Sequence, residues 1–239
     1  MKNTLVFVQQ KLSNINLTEH SVSCLFDATS IADRQCSLLA VKYLHANELV
    51  IFEQRKKLLA KKEYLASRYI IKTLITKLHG CLFEALDVAF DKNNHRLIAY
   101  LGEQPLAYRI SLSHSKGQVL LVVSKELIEI GLDLEYIDKK REVSTLANNF
   151  FHQKEQVLVR DNDKTSFYYL WTLKEAFAKM SGQSVLSILP KDIRVALRHL
   201  ATSTAIYHDY ALAIVSSSVL NNNIVYILSC LELSPNVNE

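Results

Sequence analysis

The segment Ile130-Gly131-Leu132-Asp133-Leu134-Glu135-Tyr136 alternates strictly, the pattern of a β-strand. Period two puts Ile130, Leu132, Leu134 and Tyr136 on one face and Gly131, Asp133 and Glu135 on the other. The two carboxylates then lie ~7 Å apart at their Cα atoms, near enough to share a hard cation. A half-buried strand with a solvated acidic face has the same pattern, and spacing alone favours that plainer account. Downstream, Ser166–Met180 reads as a helix with Leu173, Ala176, Phe177 and Met180 on its apolar face. Trp171, Glu175 and Lys179 fall at i, i+4 and i+8. They form either a surface Glu–Lys pair worth ~0.2–0.5 kcal/mol or a carboxylate for a metal beside an ammonium for a phosphate.

Working outward, the same order occurs earlier in the chain. A strand at Ser21–Phe26, ending near Asp27, precedes a helical pattern from about Glu53 to Leu78, with Ile71, Leu74, Ile75 and Leu78 in register. Asp27 and Asp133 are 106 residues apart, as are Arg68 and Lys174. The expectation is an α+β chain of two similar halves. Between them, Tyr108–Leu112 and Gln118–Val123 predict a hairpin around a turn at Ser113-His114-Ser115-Lys116-Gly117. Such a turn is either an ordinary polar one or a place where hydroxyls, amides and an imidazole face one anion. Asp192–Leu197, Tyr207–Val215 and Ile224–Leu233 read as a β-meander. On the first long helix Lys57, Lys61, Arg68 and Lys72 make a basic stripe, either solvated or facing an anionic ligand or an acidic protein.

Composition narrows the function classes. The chain has 239 residues, 49% hydrophobic and 22% charged, with 5 Gly and 3 Pro, which excludes low-complexity and collagen-like architectures. No apolar run approaches the ~20 residues of a membrane span, and the N-terminal stretch has no signal-peptide pattern. Four scattered cysteines without a CxxC pair predict reduced thiols. The eight histidines show no ligand spacing, so a structural zinc is not expected. A net charge of +4 is too small for a dedicated nucleic-acid binder. A cytoplasmic protein is expected.

Four blocks in order resemble the 4′-phosphopantetheinyl transferase superfamily in its long, surfactin-synthetase-activating form. Ser113-His114-Ser115 is similar to the family's SHS motif. Gly131-Leu132-Asp133-Leu134-Glu135 resembles its G-(I/V)-D-(I/V)-E strand, with leucine at both variable positions. Phe150-Phe151 with Glu155 resembles FF-x-x-x-E, and Trp171-Thr172-Leu173-Lys174-Glu175-Ala176-Phe177-Ala178-Lys179 resembles W-(S/T)-x-K-E-(S/A)-x-x-K. Upstream, Leu65-Ala66-Ser67-Arg68 is similar to the helical arginine motif. Glu103-Gln104-Pro105 departs from the usual G-(K/R)-P by lacking its basic residue.

The resemblance implies a pseudo-dimer of two α+β halves, residues 1–129 and 130–239, with coenzyme A in the cleft between them and most metal and catalytic residues in the second. It implies Mg²⁺-dependent transfer of 4′-phosphopantetheine from coenzyme A to a serine of an acyl or peptidyl carrier protein, with release of adenosine 3′,5′-bisphosphate. Asp133, Glu135 and Glu175 would hold Mg²⁺, with Mn²⁺ as a substitute. Arg68, Ser113, His114, Asp133, Glu175 and Lys179 would bind coenzyme A. Glu175, Asp133 and Lys179 would be catalytic, with Glu175 the base, held ionised well below neutral pH by Lys179 and the metal. One chain would build the whole cleft and act as a monomer, and the basic surface near Lys56–Lys62 would steer an acidic carrier. Nucleic acid and membrane are not implied partners. Alternatives in the same fold are a coenzyme A-binding protein and a Mg²⁺-dependent coenzyme A hydrolase.

Overall fold

The computed structural model describes residues 2–16, 21–125, 128–219 and 223–231. The chain begins with β1 (Lys2–Thr4), β2 (Val6–Gln10) and β3 (Ser21–Asp27). Helices α1 (Asp33–Tyr43), α2 (Ala46–Glu53) and α3 (Leu58–His79) follow. Next come β4 (Leu86–Asp91), β5 (Arg96–Leu101), β6 (Gln104–Pro105), β7 (Arg109–Ser115) and β8 (Gln118–Ser124). Then β9 (Ile130–Tyr136) leads to α4 (Val143–Phe150), α5 (Gln153–Gln156), α6 (Lys164–Ser181), α7 (Val185–Ile188) and α8 (Ile193–Ala196). Strands β10 (Ala201–Tyr207), β11 (Tyr210–Ser216) and β12 (Ile224–Leu228) end the described chain. No helix among the described residues is long and apolar enough to cross a membrane.

The strands form two sheets, β2-β12-β3-β8-β7-β5-β4 with β6 on β5, and β1-β10-β11-β9. Side-chain alternation explains how they stack. On β8, Val119, Leu121 and Val123 join the core under α3, whereas Leu120 and Val122 join a second apolar layer with Ile130, Leu132 and Leu134 of β9. The unbroken run Val119–Val123 is therefore apolar because both of its faces are buried. A third cluster packs α6 onto β11. Both termini cross the division before Ile130: β1 runs parallel to β10, and β12 lies between β2 and β3, parallel to both.

Each long helix carries a buried cation paired with a glutamate from a shorter helix before it. In α6 the Lys174 ammonium lies 2.7 Å from Glu155, and both are fully buried. The other Glu155 oxygen accepts the Ile193 amide. In α3 the Lys72 ammonium is 3.4 Å from Glu48 and the Arg68 Nε 4.0 Å, while Glu48 accepts the Val88 amide. Glu48 and Glu155, Arg68 and Lys174, and Val88 and Ile193 are 107, 106 and 105 residues apart. The same device thus occurs twice at the spacing read from the sequence.

Several local expectations are corrected. The first helical pattern breaks at Arg55–Lys57, so α2 and α3 are separate helices. Residues 113–115 continue β7, because their partners Leu120, Val119 and Gln118 extend the ladder and leave only Lys116 and Gly117 as the turn. Asp192–Leu197 is not a strand: Asp192 caps the short helix α8 by accepting the Arg194 amide. The final strand ends at Leu228 and crosses to the other sheet rather than closing a meander; residues 232–233 lie outside the described residues.

Gly131 is where β9 meets α6. A Cβ there would run into the Ala176 carbonyl and stand 2.5 Å from the Met180 amide nitrogen, both backbone atoms that cannot turn aside. Gly131→Ala should therefore push α6 off the sheet and cost about 2 kcal/mol or more, read as a lower urea midpoint with an unchanged slope. A midpoint equal to that of the parent protein would refute the close contact.

Candidate functional site

Asp133 points from β9 toward α6 and is only 4% exposed. Its Oδ1 accepts hydrogen bonds from Ser113 Oγ and Lys179 Nζ, both at 2.8 Å, and Lys179 also reaches Ser113 Oγ at 2.9 Å. Asp133 Oδ2 is buried without a hydrogen-bond partner among the described residues. Two residues on, Glu135 accepts from Ser115 Oγ at 3.3 Å. Burial, with Asp133 next to it, pushes the Glu135 carboxyl above its ordinary range. Glu175 is pushed up to about 7 by burial and by Asp133, against the pull of Lys179. This corrects one expectation: the acidic face is not solvated. Lys179 pairs with Asp133 across the strand–helix contact, so the surface Glu–Lys account of α6 fails as well.

The three carboxylates influence one another electrostatically, yet no three His, Cys, Asp or Glu among the described residues are gathered tightly enough to hold a metal. The donor set is chemically right for a hard cation: oxygen only, with one buried carboxylate oxygen unpartnered and two carboxyls raised by burial and by the neighbouring Asp133.

Lys179 also forms one end of a cavity of about 320 Å³. Its wall includes Arg55, Arg68, Arg96, Arg109 and His114, with Tyr64, Phe90 and Ile110 as apolar and aromatic surface. Arg55 and Arg68 both lie over the Tyr64 ring, at 4.5 and 4.3 Å from its centroid. Arg68 is largely committed elsewhere: its Nε donates to the Val88 carbonyl and its Nη1 to Ser67 Oγ. Arg55 Nε and Arg109 Nε are buried without hydrogen-bond partners among the described residues. Burial, with Arg68 close by, pulls the Arg55 guanidinium below its ordinary range. Arg96 and Arg109 share Glu129, at 3.5 and 3.2 Å. A larger apolar hollow of about 540 Å³ beside Leu158, Tyr169 and Leu173 is lined by none of the candidate site residues.

The structure thus brings Arg68, His114 and Lys179 to one cavity, with Ser113 and Asp133 bonded to Lys179 at its end. It does not bring the lysines of the basic stripe there. Lys61 is tied to Glu53 at 2.6 Å, and Lys72 is buried against Glu48. Glu103-Gln104-Pro105 is exposed beside β5, outside the cavity wall. The sequence reading missed Arg55, Arg96, Arg109 and Glu129. They come from separate segments, and no periodic or motif signal links them. Glu63, which approaches His114 Nδ1 to 3.1 Å, was also missed.

A family profile described as the 4′-phosphopantetheinyl transferase superfamily matches residues 129–225, the stretch from Glu129 through β9, α6 and β11. Among curated proteins, the chain is 28% identical over 175 residues to the 4′-phosphopantetheinyl transferase HetI of Nostoc sp., covering 71% of this chain and 69% of that protein. It is 28% identical over 147 residues to a putative 4′-phosphopantetheinyl transferase of Synechocystis sp., covering 59% and 58%. It is 34% identical over 98 residues to the 4′-phosphopantetheinyl transferase AcpT of Escherichia coli, covering 39% and 49%. Profile and relatives agree with the ordered blocks around Asp133 and Glu175, and over residues 129–225 the chain is similar to the 4′-phosphopantetheinyl transferase superfamily.

Proposed function

We propose that this chain transfers the 4′-phosphopantetheine group of coenzyme A to a serine of an acyl or peptidyl carrier protein, releasing adenosine 3′,5′-bisphosphate. The observation that carries the reading is one continuous polar wall. Arginines line the cavity, and Lys179 joins it to the buried Asp133. Coenzyme A has the matching chemistry, a phosphorylated nucleotide at one end and a scissile diphosphate toward the other. The cavity takes residues from both sides of Ile130, which supports a cleft between two halves. The repeated glutamate–cation device supports their common design, and so a pseudo-dimer of the long form in one chain. The proposed setting is the cytoplasm, with coenzyme A and an acidic carrier protein as the partners.

In this reading the carrier serine Oγ attacks the diphosphate phosphorus that bears the pantetheine oxygen. The bond to the bridging oxygen breaks, and the nucleotide leaves with that electron pair. Glu175 takes the serine proton on a carboxylate oxygen, a role for which it must stand near both metal and nucleophile. Lys179 Nζ, fixed between Asp133 and Ser113, neutralises phosphoryl oxygens together with His114. Arg55 and Arg109, which line the cavity and keep unpartnered Nε donors, suit the ribose phosphate better than Arg68, which the fold already occupies. Mg²⁺, or Mn²⁺ in its place, held by Asp133, Glu135 and Glu175, would supply charge neutralisation at the diphosphate and leaving oxygen.

Incubation of a carrier protein with coenzyme A, Mg²⁺ and this chain should add one phosphopantetheine, ~340 Da by formula as a serine phosphodiester, seen by intact mass spectrometry. Hydrolysis of coenzyme A with no mass gain would mark a hydrolase, and binding without turnover a coenzyme A-binding protein. Light scattering coupled to size exclusion should find the activity in a monomer peak; activity confined to a larger assembly would defeat the one-chain cleft.

Glu175 also predicts a pH effect free of turnover. Its folded pKa lies above the ordinary value of 4.5, so without divalent cation the folded state holds this proton more tightly than the unfolded chain. Below that value the group is protonated in both states. Rising pH then forces a crowded carboxylate into the fold, and stability should fall between about pH 5 and 8 by roughly 2–3 kcal/mol from this residue. Glu175→Gln should flatten that part of the melting-temperature profile, and Mg²⁺ should raise the wild-type melting temperature more at pH 8 than at pH 6. Parallel profiles for wild type and variant would contradict the crowding. In transfer, the same variant should lose ~10²-fold in kcat with a smaller change in coenzyme A affinity.

A further inference from the structure

Glu63 lies in α3, nearly buried, one turn before Ser67 and Arg68. Its two carboxylate oxygens serve different partners. Oε1 accepts the Gly117 amide at 2.8 Å, and Oε2 lies 3.1 Å from His114 Nδ1. Gly117 has φ +92° and is held on its other side by the Ala28 amide, which donates to its carbonyl. The end of the β7–β8 hairpin is therefore clamped to α3 and to the start of the helical segment. His114 is the exposed member of the pair, with 46% of its side chain accessible at the cavity wall.

We propose that Glu63 is a positioning residue for coenzyme A binding, acting by fixing the ring of His114 against the cavity. The proposal rests on the reading of that cavity as the coenzyme A site. A carboxylate only accepts hydrogen bonds, so the proton of the shared contact sits on His114 Nδ1. Nε2 is then the ring nitrogen left for the ligand, and it donates to a phosphoryl oxygen when the ring is the imidazolium. Without the clamp an imidazole nearly half in solvent turns about two side-chain torsions, and a ligand must pay for stopping it. Burial pushes the Glu63 carboxyl up, but the His114 hydrogen bond, the Gly117 amide and the charges of His114 and Arg55 outweigh it. The carboxyl is held below its ordinary range, and Glu63 is the acceptor at neutral pH.

Glu63→Gln separates this role from a structural one. The glutamine carbonyl still accepts the Gly117 amide, so the hairpin stays anchored. Its amide group donates toward His114, which reverses the polarity of that contact. The variant should bind coenzyme A about ten-fold more weakly, with the melting temperature unchanged. Calorimetric titration of the full chain with coenzyme A gives the affinity without turnover. His114→Ala should weaken binding by a similar factor, and the double variant should be no worse than His114→Ala alone. Ring ¹⁵N spectra should show the Nδ1-protonated form in wild type and its loss in Glu63→Gln. Glu63→Ala, which also frees Gly117, should lower the melting temperature. Wild-type affinity in Glu63→Gln, or additive losses in the double variant, would overturn the proposal. If His114→Ala binds coenzyme A normally, the coenzyme A reading of the cavity fails, and unchanged ring spectra would separately overturn the role of Glu63.

Discussion

The site depends on a ladder of serine hydroxyls that joins two strands with no backbone pairing between them. Strand β9 is the edge of its sheet, bonded on one side to β11. An unpaired edge leaves amides that must find acceptors when buried. Ser111 Oγ accepts the Leu132 amide and Ser115 Oγ the Tyr136 amide, each at 3.1 Å. Between them Ser113 donates to Asp133. The period of two along β7 thus meets the period of two along β9, and the two sheets are held in register by side chains. A sliding of one residue would present Ile110 and Leu112 in place of the hydroxyls and leave the edge unsatisfied. That constraint sets where Asp133 and Glu135 stand relative to His114.

Part of this was readable in the chain. The alternation at Ile130–Tyr136 gave the strand limits and both faces, since a strand's period is a local property. The apolar positions of the second helix gave α6 to within two residues at its start. What failed was non-local. Ser111, Ser113 and Ser115 look like an ordinary polar strand face until β9 is beside them. The basic stripe on α3 looks solvated or ligand-facing because its partners, Glu48 and Glu53, precede the helix break. The N-cap role of Asp192 overrode the alternating pattern around it. The crossing of β12 leaves no mark in a strand whose neighbours lie more than 200 residues away at β2 and β3.

The buried pairs also sort the family-like motif letters into two kinds. Glu155 and Lys174 satisfy one another in the core, and the Lys174 ammonium donates as well to the Leu189 and Lys191 carbonyls at 2.8 and 2.6 Å. Removing either partner of such a pair strands a charge and costs ~3–5 kcal/mol. Their place in the sequence pattern therefore follows from architecture. Glu175 and Lys179, one and five positions after Lys174 in the same helix, face the other way, toward β9. A single helix thus carries a structural cation on one side and the chemistry on the other. The packing that locks Lys174 also fixes the rotation at which Glu175 approaches Asp133.

The bare site is electrostatically incomplete in two opposite senses. Around Asp133, Glu135 and Glu175 negative charge is buried and crowded: burial and Asp133 push the two glutamates up, and one aspartate oxygen goes unpartnered. In the adjoining cavity positive charge is in surplus: Arg55 and Arg109 keep buried donors unused although Glu129 already bridges Arg96 and Arg109. These charges do not cancel each other, because Lys179 is the one cavity cation that reaches Asp133 and its ammonium is already shared with Ser113. A neutral ligand would relieve neither excess. An anion alone would suit the arginines but meet the carboxylates at the far end, and a cation alone would do the reverse. Both are relieved at once by a phosphate-bearing ligand that arrives with a divalent cation at its diphosphate, and the proposed substrate is of that kind.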